Sequence, residues 1–285
     1  MMKTGGSSRR DSLTLIADDY GLAPGVNRAI RKLISAGKID GTGCMTLFAD
    51  WRVEAAGLHA LCEQGYAEAG LHLTLTDFNP MSGLNAFGQN RRMPKVDALI
   101  KASFQGKVNV AAVEGELDAQ FAAYVEAMGG LPAYIDGHQH VHFLPAVRGW
   151  LAKRAALFAE YGKLPWLRGA PSVMAASGVK IKAKTALVAV VATGFESAMR
   201  KYGYSIRGPL LGFYDWTRPE EFEPMLRGLI ERGNYGVFMC HPGFVDKVLR
   251  QRDGLIEARD VEYSVLSNLD PTLMRIESSL RQRAS

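Results

Sequence analysis

Short apolar runs alternate with longer amphipathic stretches along most of the chain, and this alternation limits the fold more than any other feature. Runs that fit strands fall at 13–17, 43–47, 70–75, 133–136, 166–168, 210–213 and 235–240. Stretches that fit helices fall at 24–36, 114–128, 145–160, 180–201 and 219–232, with one more at 271–281. The first helix is the clearest: Pro24 opens it, Gly37 stands just past its end, and Val26, Ile30, Leu33 and Ile34 form one apolar stripe. Strands that alternate with helices pack as βα units around a mainly parallel sheet. Seven such strands predict an α/β fold of (β/α) barrel-like form, closed or nearly closed, with a doubly wound open sheet as the alternative. No G-x-G-x-x-G follows the first strand, which disfavours a dinucleotide fold.

The 285 residues suit one large domain, read here as 12–285 after a polar, Gly/Ser-rich flexible leader at 1–11. The segment 77–110, with Asn79-Pro80, Gly83, Gly88 and Arg91-Arg92, breaks the βα rhythm and reads as a lid or substrate loop inserted over the barrel mouth. Lys and Arg exceed Asp and Glu by a formal net charge of +5, but they are scattered. No dense basic run carries interleaved aromatics, which argues against a nucleic-acid partner. A mildly basic surface equally suits an anionic membrane or a phosphate-bearing substrate. Cys44, Cys62 and Cys240 are odd in number and far apart, which fits neither a disulfide framework nor a zinc ribbon and suggests a reducing compartment. The start lacks the apolar run of a secretion signal, and the longest strongly apolar stretch, 186–195, is too short to span a bilayer. The expectation is a cytoplasmic protein, with a peripheral contact at the inner membrane face and a homo-oligomer both left open.

Five of the six histidines, His72, His138, His140, His142 and His241, sit at or just after expected strands, and only His59 falls in a helical stretch. Strand C-termini are where barrel enzymes place reactive groups. Asp18 and Asp19 in Ala17-Asp18-Asp19-Tyr20-Gly21 follow an apolar strand; one can face a metal and the other its water, or either can cap the next helix. His72, in Gly70-Leu71-His72-Leu73, reads alone more readily as a core residue than as a ligand. His138, His140 and His142, at every second position of Asp136-Gly137-His138-Gln139-His140-Val141-His142, lie on one side of an extended chain and point to metal binding. One metal rarely needs all three, so at least one is expected to face substrate or to support a ligand. His241, pinned by Pro242-Gly243, is placed to protonate a leaving group, or is a turn residue without function. Cys240 reads as packing that points away from the mouth. One Asp, two His and a free carboxylate make an open site of the catalytic kind.

Taken in order, these motifs resemble those of the YdjC-like carbohydrate deacetylase family, which includes chitooligosaccharide deacetylases and hopanoid-biosynthesis-associated deacetylases. The resemblance covers residues 13 to about 243, and Asn27 also fits it. It implies a seven-stranded parallel barrel of the polysaccharide-deacetylase/glycosidase type with one divalent metal. Asp19, His72 and His138 would be its ligands, Asp18 the catalytic base, His241 the general acid and Arg168 an arginine near the site. Tyr20 stands where the family has Phe and, like His140 and His142, is assigned to the substrate or to support of the ligands. Zn²⁺ suits this donor set best, and Mg²⁺, Mn²⁺, Co²⁺ or Ni²⁺ also fit. The implied reaction is metal-dependent removal of acetate from an N-acetylated sugar, either a soluble oligosaccharide or a lipid-linked glycoconjugate. Two other classes compete: a metal phosphoesterase on a His-rich barrel, whose H-x-H usually opens the first strand, and a non-catalytic sugar- or metal-binding protein.

Overall fold

The computed structural model describes residues 13–83, 92–254 and 256–270. The leader at 1–11, the helix expected at 271–281, and Gly88 and Arg91 of the inserted segment lie outside them. The strands are β1 (Leu13–Tyr20), β2 (Gly41–Cys44), β3 (Glu68–Leu73), β4 (Tyr134–Gly137), β5 (Trp166–Arg168), β6 (Ile206–Arg207), β7 (Leu210–Leu211) and β8 (Gly236–Cys240). Helices α1 (Pro24–Ser35) and α2 (Trp51–Glu63) follow β1 and β2. Helices α3 (Val96–Phe104) and α4 (Val110–Met128) lie between β3 and β4, and α5 (Pro145–Glu160) follows β4. Helices α6 (Val179–Val191) and α7 (Phe195–Lys201) follow β5, α8 (Phe222–Glu231) follows β7, and α9 (Lys247–Arg252) and α10 (Ile256–Asn268) follow β8.

All strand pairs are parallel, in the order β6-β5-β4-β3-β2-β1-β8-β7. The two ends of this order, β6 and β7, are consecutive in the chain and are separated only by a cis Gly208–Pro209 bond. The backbone beyond β5 runs alongside both: Gly169 N–H donates to Arg207 O at 2.8 Å, Leu210 N–H to Ala170 O at 2.9 Å and Ser172 N–H to Leu210 O at 2.9 Å. The eight strand segments thus occupy seven positions around a barrel-like ring, as expected.

Side-chain alternation along the strands separates two cores. Leu15, Ala17, Leu71, Leu73, Ile135, Leu167, Phe238 and Cys240 face outward into the large core under the helices. The intervening residues Ile16, Tyr134, Trp166 and Val237 form a second cluster. They come from β1, β4, β5 and β8, two pairs of neighbours on opposite sides of the ring, so their contact fills the barrel interior. Tyr134 stacks on Trp166 with centroids 4.4 Å apart. Gly70 on β3 supplies the space: a Cβ there would sit 2.3 Å from the Tyr134 ring.

The inserted segment 77–110 contains α3. Two expectations are corrected. The helix expected at 180–201 is two helices, because Gly194 adopts φ 75° and starts α7 afresh. The run from His138 to Phe143 is not extended: it winds as a 3₁₀ turn in which Gln139 (φ 51°) and His140 (φ 62°) are left-handed, so its three histidines diverge.

Candidate metal and catalytic centre

The residues two positions further along the interior-facing register are Asp18, His72, Asp136 and Arg168, all buried. They lie at the C-terminal end of the ring, below a cavity of about 580 Å³ lined by Asp18, Asp19, His72, His138, His140 and His241, among others. Asp19 should point away from Asp18, but the pairing of β1 with β2 shifts register between Ala17 and Tyr20 and Asp19 takes φ 69°. This bulge returns the second carboxylate to the interior. The capping alternative fails, because α1 has no side-chain cap and Gly25 N–H bonds Asp246 Oδ2 instead.

Asp19 Oδ1 lies 3.1 Å from His138 Nδ1 and 3.5 Å from His72 Nε2. One donor atom from each of the three residues lies within 4.8 Å of the others. The far nitrogen of His72, Nδ1, is 2.7 Å from Asp136 Oδ1. A carboxylate behind an imidazole fixes the tautomer and aims the other nitrogen's lone pair at the shared space. A divalent cation therefore fits this donor set in kind and spacing. Charge argues the same way. Burial opposes a charge on the His72 ring, yet the negative charges of Asp136 and Asp18 outweigh it and raise its pKa to about 10, which marks a position where positive charge is favoured. Asp18, His72 and Asp136 also cluster, but Arg168 already occupies both carboxylates.

Arg168 donates to both oxygens of Asp18, at 2.7 and 2.6 Å, and reaches Asp136 Oδ2 at 2.6 Å. Burial pushes the Asp18 carboxyl up, but Arg168 outweighs it, aided by His72 and His241, and leaves the pKa at about 2. Asp18 is thus ionised and fixed. His241 Nε2 lies 3.9 Å from Asp18 Oδ2, with the Trp216 ring 4.8 Å away. Burial lowers the His241 pKa to about 4 against the pull of Asp19 and Asp18, so its ring is neutral at neutral pH. Its backbone N–H donates to Glu262, which also accepts from the Tyr214 hydroxyl at 2.6 Å.

Arg168 lies near the site, fully buried against Asp18 and outside the lining of the cavity. Two sequence assignments need correction. Tyr20 turns outward, donating to Glu54 O at 2.7 Å and packing on Trp51. His142 is buried against Phe143 and Phe195, away from the cavity, and burial pushes its pKa well down. His140 does reach the cavity, 5.3 Å from the Phe213 ring. Sequence reasoning also missed Asp136, Asp253, Arg259 and Glu262. Asp136 stood inside the motif 136–142, whereas Arg259 and Glu262 lie on α10, which is not among the helices expected from the sequence.

The non-glycine residues with positive φ among the described residues, Asp19, Asp77, Gln139 and His140, all line this cavity. Gln139 Nε2 donates to Asp77 Oδ2 at 3.0 Å, tying the inserted segment to the turn that carries His138. Such conformations cost about 1–3 kcal/mol each and persist where surrounding structure enforces them, typically at functional sites.

Carbohydrate deacetylase of Mus musculus is 29% identical over 57% of this chain, a match that spans about half (53%) of that protein. Chitooligosaccharide deacetylase of Enterobacter sp. (strain 638) is 28% identical over 85% of each chain. A crystal structure from Enterococcus faecalis V583, of a protein provisionally named for cellobiose-phosphate cleavage, superposes with a TM-score of 0.66 at 20% identity over 90% of each chain, a likeness of fold. The model of the family described as YdjC-like protein matches residues 12–274. That span holds β1 with its paired aspartates, every histidine at the cavity and the helix carrying Arg259, and the chain accordingly belongs to the YdjC-like family.

Proposed function

We propose that this chain is a metal-dependent hydrolase that removes the acetyl group of an N-acetylated sugar, releasing acetate and an amino sugar. The observation that carries the reading is the convergence of Asp19, His72 and His138 at the cavity floor, beside an ionised carboxylate and a neutral imidazole that serve no ligand role. The names of the relatives support the class of substrate.

Asp19, His72 and His138 would hold the divalent ion, which supplies Lewis acidity to an acetyl carbonyl and acidifies water at neutral pH. Two imidazoles and a carboxylate favour Zn²⁺, with Mg²⁺, Mn²⁺, Co²⁺ and Ni²⁺ as the alternatives. Asp18, held ionised by Arg168, accepts the proton of the attacking water at Oδ2. His241 Nε2, 3.9 Å from that oxygen, is neutral at rest and delivers the proton to the departing amine once it has received one. Binding alone requires neither group, which favours a hydrolase over a passive binding protein. The first strand carries Asp-Asp rather than H-x-H, which favours an amidase over a phosphoesterase.

A lipid-linked substrate has one observation in its favour. Ile181 and Val188 of α6 line the cavity, and an apolar cleft formed with Val96, Ile100, Leu144, Leu187 and Val191 adjoins it. An aglycone with a hydrocarbon chain would cover this strip, and Lys184 at the rim suits an anionic surface. On this reading the protein works in the cytoplasm, at the inner membrane face when its substrate is lipid-linked; its cysteines are unpaired, and among the described residues no helix is long and apolar enough to cross a membrane. The test is acetate release from N-acetylglucosamine oligosaccharides and from an alkyl-linked N-acetylglucosaminide, before chelation, after it and with each ion restored. Activity that chelation abolishes and an ion restores is expected, with a lower KM for the alkyl substrate. Full activity after complete metal removal, or phosphate release from sugar phosphates in place of acetate release, would overturn the proposal.

A further inference from the structure

Asp19 divides its two oxygens between different tasks. Oδ1 faces His138 and His72, whereas Oδ2 accepts from Arg259 Nη2 at 2.6 Å. Arg259 comes from α10, about 240 residues away in the chain, and is 1% exposed. Each of its three guanidinium nitrogens has a partner. Nη2 and Nε both reach Asp253 Oδ2, at 2.6 and 2.8 Å, and Nη1 donates to His241 O at 3.3 Å. Its own carbonyl accepts from Gly243 N–H at 3.0 Å. One planar group therefore ties together the end of β1, the turn after β8 and the α9–α10 connection.

We propose that Arg259 is the positioning residue of the cation site: it holds Asp19 Oδ2 so that Oδ1 alone is offered to the ion, and it keeps Asp253 as its own partner rather than as a competing ligand. The proposal rests on reading Asp19, His72 and His138 as ligands. The need for such a residue follows from the backbone. Asp19 sits at a strand bulge in a left-handed conformation, so the ladder does not aim its side chain. Asp19 Oδ2 and Asp253 Oδ2 meet at the same nitrogen; two carboxylates this close are held together by the cation between them. Arg168 takes both oxygens of Asp18, whereas Arg259 takes one of Asp19, so each member of the Asp18-Asp19 pair has its own arginine but only Asp19 keeps an oxygen free of it. A lysine would keep the charge but not the fork, because one ammonium cannot reproduce the planar set of bonds.

Arg259→Lys in the full chain is the test, because it leaves the net charge of the site unchanged. The metal-stripped protein is titrated calorimetrically with Zn²⁺ and Co²⁺, and the Co²⁺ absorption spectrum is recorded. Ion affinity is expected to fall by roughly 10–100-fold, the usual effect of losing a group that orients a ligand, with a shifted Co²⁺ band and an unchanged circular dichroism spectrum. Glu262→Gln, on the same helix but touching His241 and Tyr214 rather than Asp19, is expected to keep the wild-type Kd. Wild-type affinity in Arg259→Lys, or an equal loss in Glu262→Gln, would overturn the proposal. Arg259→Gln keeps it testable should Arg259→Lys not fold: a comparable fall in ion affinity is expected, and wild-type affinity would overturn the proposal. If the wild-type protein itself binds no ion, the hydrolase reading falls first, and that outcome is distinct.

Discussion

Two layers of the barrel interior lie two residues apart along the same strands and differ in almost every physical respect. In the lower layer the side chains of Ile16, Tyr134, Trp166 and Val237 are uncharged, Tyr134 fills the space left by Gly70, and the Glu68–Arg207 ion pair meets them at Trp166. In the upper layer Asp18, Asp136, His72 and Arg168 stand on β1, β4, β3 and β5, equally buried but ionic. The lower layer stabilises through aromatic stacking and exclusion of water. The upper layer costs desolvation of each charge and remains only because every carboxylate is paired. The ring can hold such a cluster because the layer beneath closes the interior from the opposite end. Charge pairing in the upper layer and backbone strain next to it occur together where the cavity opens.

This contrast predicts that chemistry and stability separate between the layers. Asp18→Asn in the upper layer should lower kcat by roughly 10²–10⁴-fold, the usual contribution of a positioned base, with metal content unchanged by elemental analysis; normal turnover would remove Asp18 as the base. Trp166→Ala in the lower layer should cost about 3–5 kcal/mol in denaturant unfolding, as large aromatic truncations do, while the folded protein keeps its metal. Loss of metal at unchanged stability would show that the two layers are not separate. His142→Phe, outside both layers and against Phe143 and Phe195, should have the smallest effect. We expect kcat/KM close to wild type and a stability change under about 1.5 kcal/mol, as for buried swaps of similar shape. A large loss of activity would return His142 to the site.

Much of the site was legible because reactive residues on strands reveal themselves by position. Asp18 and His241 end apolar runs, and their neighbours Ala17 and Cys240 alternate with them into the outer core; His72, inside its run, read alone as a core residue, and only the family resemblance made it a ligand. The 3₁₀ turn was not legible. A spacing of every second residue puts side chains on one face only if the backbone is extended, and the left-handed Gln139 and His140 break that premise. Tyr20 misled for a related reason: the bulge that turns Asp19 inward sends the next side chain to Glu54 and Trp51. On α10, Arg259 and Glu262 are three apart and share a face, but helix-surface charges of this kind are usually solvated.

The sequence by itself determined the ring of βα units, the end of the ring where function gathers and the residue types that gather there, because periodicity and strand-end placement are local properties. Only the tertiary structure decided how His138 parts from His140 and His142 to meet Asp19, why two adjacent aspartates face the same cavity and that a helix near the end of the described chain supplies an arginine to one of them. Those outcomes depend on a bulge, on left-handed residues and on buried ion pairs between segments far apart in the chain, and a buried charge finds its partner through space rather than through spacing.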